Sequence, residues 1–200
     1  MKAIEKLKEL NACGEAIEWC KDNNIKTLQE AWEKCERGDW MLWLYARLYP
    51  DNKREITLAK GHCANTVRSL MKDKRSIAAV DTAIRYGENN ATDDELKDAA
   101  TAAYAAYAAY TAYADDAAYA AAAADATDAA AASYVAYAAA YTAYDAAYAT
   151  AADADAACAA YAAAAYDAAY TADADAAKKE NQKLTSDICR KYLSIKESEL

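Results

Sequence analysis

Apolar residues in the first part of the chain recur at helical spacing in short bursts, and each burst is closed by a polar or glycine break. Ile4, Leu7 and Leu10 form one stripe, and Ala16, Ile17 and Cys20 form a second. Thr27-Leu28-Gln29-Glu30 has the Ser/Thr-x-x-Glu pattern of a capping box, which opens a helix that runs towards Cys35 and stops at Gly38. Asp39 is placed to cap the next helix, Trp40 to Leu48, which must end before Pro50 because proline cannot continue the hydrogen-bond ladder. Asp51 opens another helix, through Ile56, Leu58, His62, Cys63, Val67 and Leu70 to about Met71, and a further one covers Ser76 to Tyr86. The Gly87-Glu88-Asn89-Asn90 turn closes a multi-helix head over residues 1–91.

Thr92-Asp93-Asp94-Glu95 is a second capping box, and no Gly or Pro follows it. One straight helix from there to the region of residue 195 would be about 150 Å long at 1.5 Å per residue, so the pattern requires interruptions. Asp125-Ala126-Thr127-Asp128, Asp153-Ala154-Asp155 and Asp173-Ala174-Asp175 are the places for them, since short polar side chains compete for backbone hydrogen bonds and cap new helices. The blocks between share vocabulary: Tyr110-Thr111-Ala112-Tyr113 recurs at Tyr141 to Tyr144, and Asp-Ala-Ala-Tyr ends at Tyr119, Tyr148 and Tyr170. Tyr134, Tyr137, Tyr141, Tyr144 and Tyr148 fall on one helical face. Residues 92–200 are therefore expected to form Ala/Tyr/Asp-rich helices packed as a bundle or a helical-repeat array, with the C-terminal helix packing back on the head. Faces of alanine and tyrosine also offer a surface for homo-oligomer formation.

Composition makes the fold class firm. Residues 99–177 hold 47 Ala, 13 Tyr and 10 Asp, and alanine is the best helix former and a poor strand former, so the chain is expected to be all-α. The net charge is −9, and that same tract has ten acids and no basic residue, which leaves the remainder close to neutral. Nucleic acid and anionic membrane therefore lack an electrostatic driving force as partners. The charged start Met1-Lys2-Ala3-Ile4-Glu5-Lys6 has no apolar signal core, and six cysteines without a Cys-x-x-Cys pair predict reduced thiols in the cytoplasm. One His beside such cysteines cannot assemble a familiar zinc set, so neither a metal nor a cofactor is expected. Threonines at irregular intervals exclude an ice-binding helix, and the Asp-x-Asp pairs lack the glycine and terminal Glu of a calcium loop.

The chemically richest segment is Cys35 to Arg47. Trp40, Trp43 and Arg47 share a helical face, with Arg37 and Asp39 at its start, so guanidinium and indole groups can together hold a planar or anionic group. The same residues also fit a plain structural role, with both Trp as core anchors, Asp39 as a cap and Arg47 in a surface ion pair. His62 fits a packed histidine. No nucleophile-base pair and no Gly-rich phosphate loop stands out, so the protein is expected to be no enzyme.

Asn11-Ala12-Cys13, Ala16-Ile17-Glu18-Trp19, Ala31-Trp32, Cys35-Glu36-Arg37-Gly38-Asp39-Trp40 with Leu42-Trp43-Leu44, Leu58-Ala59-Lys60 and Asp187-Ile188-Cys189-Arg190 follow one another in an order that resembles the immunity protein family of bacterial polymorphic-toxin loci and prophages. The resemblance spans nearly the whole chain and is most specific over residues 35–44. It implies a non-enzymatic inhibitor that neutralises a cognate toxin protein by stoichiometric binding; the co-location of Arg37, Asp39, Trp40, Trp43 and Arg47 around one helix start makes these the candidate binding residues. The alternative is a phage or prophage counter-defence protein that sequesters a nucleotide-like signalling molecule in a Trp/Tyr/Arg-lined pocket.

Overall fold

A computed structural model describes residues 2–66, 68, 73–105 and 174–196, and among them every regular element is helical, with no strand. The all-α expectation holds there. In chain order the helices are α1 (Lys2–Glu9), α2 (Gly14–Asp22), α3 (Leu28–Lys34), α4 (Gly38–Leu48), α5 (Lys53–Asn65), α6 (Lys74–Gly87), α7 (93–105) and α8 (Ala174–Tyr192). The Ala/Tyr/Asp repeat blocks, their expected bends and the tyrosine stripe lie outside the described residues. No described helix is long and apolar enough to cross a membrane.

Local chemistry accounts for the helix ends. Both capping boxes are made: the Glu30 N–H donates to Thr27 Oγ1 at 3.1 Å, and Thr92 and Glu95 exchange two bonds of 2.7 and 3.2 Å. In the first box the Glu30 carboxylate accepts from the N–H of Lys26, one residue before the cap. Three helices stop on an asparagine in the left-handed region, Asn11 (φ 61°), Asn24 (φ 55°) and Asn89 (φ 63°). Each is followed by a bond of the Schellman type, Ala12 N–H to Leu7 O, Ile25 N–H to Cys20 O and Asn90 N–H to Arg85 O.

Two core regions result. Leu7, Cys20, Leu28, Trp32, Met41, Leu42, Tyr45, Ile56, Cys63, Cys189 and Leu193 form the first, around α4. The second joins α5, α6 and α7 through Ala64, Ala79, Val80, Ala83, Tyr86, Leu96, Ala100 and Ala103. Small residues let these helices approach closely: a Cβ on Gly87 would overlap both backbone and side chain of Leu58. Arg54 seals the carboxyl end of α6 by donating to the carbonyl oxygens of Tyr86 and Ala91, with its guanidinium 4.1 Å from the Tyr86 ring centroid.

Three boundaries differ from the sequence reading. Asp39 is not a cap: α4 begins at Gly38 with Arg37 in the N-cap position, and no side chain caps it. The Asp39 carboxylate instead takes both the Nε and the Nη2 of Arg37, at 2.8 and 2.5 Å, a bidentate pair stronger than a single bond to a backbone N–H. Gly38 therefore opens a helix rather than ending one. The α5 helix starts at Lys53 after Asn52 and ends at Asn65, well short of Met71. There the Thr66 hydroxyl donates to Cys63 O at 2.7 Å and competes with continued helix.

Candidate functional site

The helix α4 starts in a three-residue extended connection, Cys35 to Arg37, and that connection is held from far away in sequence. Arg190 on α8 donates to the carbonyl oxygens of Trp32, at 3.3 Å, and Cys35, while its Nη1 is fixed by Ser186 and Asp187 at 3.1 and 2.9 Å. Beside it, Gly38 lies so close to Thr185 that no Cβ fits there, and the Cys189 thiol donates to Gly38 O at 3.6 Å. The first turn of α4 is thus pinned to the last helix. Asp39 in that turn also sits favourably at the positive end of the helix dipole.

Pinned in this way, α4 forms one wall of an open cavity of about 610 Å3 whose other walls come from α2, α3 and Leu7 of α1. All four tryptophans of the chain line it: Trp19 from α2, Trp32 from α3, and Trp40 and Trp43 from α4. Trp19 meets Trp40 edge to face, with ring centroids 6.3 Å apart. Leu7, Met41 and Leu44 add aliphatic wall, and the charged groups among the described lining residues are Glu15, Arg37 and Asp39. The guanidinium of Arg37 lies 4.3 Å from the Trp40 centroid while it grips Asp39, which is only 6% exposed. That hydrogen bond holds the Arg37 guanidinium firmly protonated, helped by the more distant Glu15.

Four of the five residues singled out in the sequence, Arg37, Asp39, Trp40 and Trp43, therefore come together round one cavity. Arg47 does not line it; this side chain is exposed, with its guanidinium 5.9 Å from the Trp43 centroid. Sequence reasoning missed Trp19, Trp32 and Glu15. The available signal was that every tryptophan falls between positions 19 and 43, on successive short helices.

The buried thiols in the wall, Cys20 and Cys35, are poor nucleophiles. Burial pushes Cys35 up to about 11 and raises Cys20 as well, so both stay protonated near neutrality. Between α5 and α8, His62 stacks on Tyr192 with centroids 4.2 Å apart, and burial together with Lys191 lowers its pKa. It takes no part in the cavity lining. Among the described residues no group of His, Cys, Asp and Glu is arranged to hold a metal ion. What the arrangement can do is enclose an apolar or aromatic group between indoles, with carboxylate and guanidinium at its edge. Searches of protein-family models, curated proteins and solved structures return no match to this chain.

Proposed function

We propose that the protein neutralises a partner by stoichiometric binding in the cytoplasm, as a non-enzymatic inhibitor of immunity type, and that the tryptophan-lined cavity receives part of that partner. The observation that carries this reading is the cavity: four indoles on three helices, braced by α8, in a volume within the range of known ligand pockets. Tryptophan and arginine are the residue types that dominate binding energy at interfaces. The resemblance over residues 35–44 and the net charge of −9 both favour a cognate toxin protein with a basic surface, because opposite fields speed encounter.

A nucleotide-like small molecule is the second reading, and the volume of about 610 Å3, in the range of small-molecule sites, favours it. Its ring system would stack on indole. Its phosphates would have to compete with Asp39 for Arg37, whose Nε and Nη2 are already bonded to that carboxylate.

Native mass spectrometry of the full chain purified from its native host under non-denaturing conditions tests both. One equivalent of a single protein is the expected result. A bound small molecule in its place selects the second reading, and the chain alone overturns both.

A further inference from the structure

We infer that the group received by the tryptophan cavity is an organic cation, a guanidinium or alkylammonium on an apolar stem; this deepens the binding reading above and rests on it. The face of an indole carries the negative end of its quadrupole, and of the aromatic side chains indole attracts a cation most strongly. With all four indoles in its lining, the cavity favours positive charge.

Anions meet the opposite. Among the described lining residues Arg37 is the one cation, and its side-on Nε and Nη2 edge is already occupied by Asp39, at 2.8 and 2.5 Å, which neutralises its charge. Two carboxylates against one guanidinium leave the lining with a formal charge of −1.

The molecule already displays the chemistry with a group of its own. Arg37 rests its guanidinium on the Trp40 ring at 4.3 Å with a carboxylate at its edge. Glu15 and Trp19, four residues apart on α2, repeat that pairing of carboxylate and indole on one helical face, and Glu15 is exposed, which puts it at the mouth of the cavity. The net charge of −9 favours encounter of the chain with a basic partner or a free cation.

The four indole N–H resonances of the full chain are the reporters for the test. Two isosteric probe pairs are titrated: N-acetyl-arginine methylamide against its citrulline counterpart, and choline against 3,3-dimethylbutanol. At least one cation is expected to bind roughly tenfold or more tightly than its neutral isostere. Glu15→Gln is expected to weaken that cation about threefold to tenfold and leave the neutral isostere unchanged, with the thermal melt unaltered. A stronger response to the arginine probe identifies a partner's basic side chain, and a stronger response to choline identifies a free organic cation. Equal affinities within both pairs, no indole shift with either cation, or tighter binding of benzoate than of the cations overturns the inference. Repeating the native mass measurement with Glu15→Gln separates the two levels. A partner retained with no cation preference in the probes sinks the inference alone. A cation preference in a chain that carries no partner sinks the neutralisation reading alone.

Discussion

Arg190, on the last helix, closes the carbonyl end of α3 by donating to the main-chain oxygen of Cys35, 155 residues earlier in the chain. The same guanidinium reaches Trp32 O, so one side chain fixes the connection that carries Arg37 and leads into the turn of Asp39. Arg190→Met is expected to cost about 1.5–3 kcal/mol of stability, the range for hydrogen bonds from a charged donor, and Arg190→Lys should recover little because an ammonium cannot span two carbonyls as a planar fork does. Urea denaturation measures this. A loss below about 0.5 kcal/mol would show that the clamp contributes nothing.

Gly38 and Gly14 give opposite results on replacement by alanine. At Gly38 a Cβ would come within 2.7 Å of the Thr185 backbone carbon, so overpacking outweighs alanine's better helix propensity and Gly38→Ala is expected to lose about 1–3 kcal/mol. Gly14 has nothing within 4 Å of the added atom, and Gly14→Ala should gain up to about 1 kcal/mol by restricting the unfolded chain. Paired thermal melts decide between this and a uniform response.

Breaking the Arg37–Asp39 pair exposes how it is built. Arg37→Ala leaves a buried carboxylate without its partner and is expected to cost about 1–3 kcal/mol, while the double change Arg37→Leu with Asp39→Asn should restore most of that. Arg47→Ala, on an exposed side chain, should change stability by less than about 0.5 kcal/mol. Any fall in partner affinity in that variant, expected at about 1–3 kcal/mol, then reports how far the docking footprint runs along α4.

Stability should be greatest in the middle of the pH range. Asp73 and Asp81 are held below the usual carboxylate range by hydrogen bonds from Arg75 and Arg68, so their contribution is complete above the ordinary value of 3.8 and is lost as pH falls through the lower native one. His62, lowered from 6.5 chiefly by burial, acts in the same direction: its proton binds the unfolded chain first, so stability starts to decline as pH drops below about 6.5. At the alkaline end Cys35 and Tyr45 are pushed up to about 11 and about 12, mainly by burial, so the unfolded chain ionises earlier and stability falls as pH rises beyond 9. His62→Gln should remove the decline near neutrality and leave the carboxylate limb. A pH series of urea midpoints that shows no change between pH 5 and 7 in the native chain would contradict the assignment to His62.

Thiol reactivity offers a quick check on burial. Of the described cysteines, Cys13 is exposed, whereas Cys20, Cys35, Cys63 and Cys189 are buried and all five are free. Titration of the folded protein with a thiol reagent is expected to modify Cys13 rapidly and these four slowly, and denatured, non-reduced protein should yield six groups.

How much of this was legible in the sequence depends on range. Capping boxes at Thr27 and Thr92 were readable because donor and acceptor lie three residues apart. Asp39 was misread for a related reason: the cap preference of aspartate is a local rule, and it lost to a bidentate pairing with Arg37 that the rule does not contain. The stops at Asn11 and Asn24 passed unnoticed because asparagine signals a left-handed residue far less insistently than glycine does. In the site, helical spacing brought out Trp40 and Trp43, but nothing periodic links Trp19 or Trp32 to them. Those two arrive through packing of α2 and α3 on α4, and the Arg190 clamp and the Thr185 contact arrive from α8.

The brace that α8 supplies also sets a schedule. Every group that lines the cavity is synthesised by residue 44, yet the connection that aims Arg37 and Asp39 stays untethered until Thr185, Cys189 and Arg190 have emerged from the ribosome. The binding proposed above therefore requires a chain extended through α8, and a shorter nascent copy carries all four tryptophans without the brace that fixes the connection beside them.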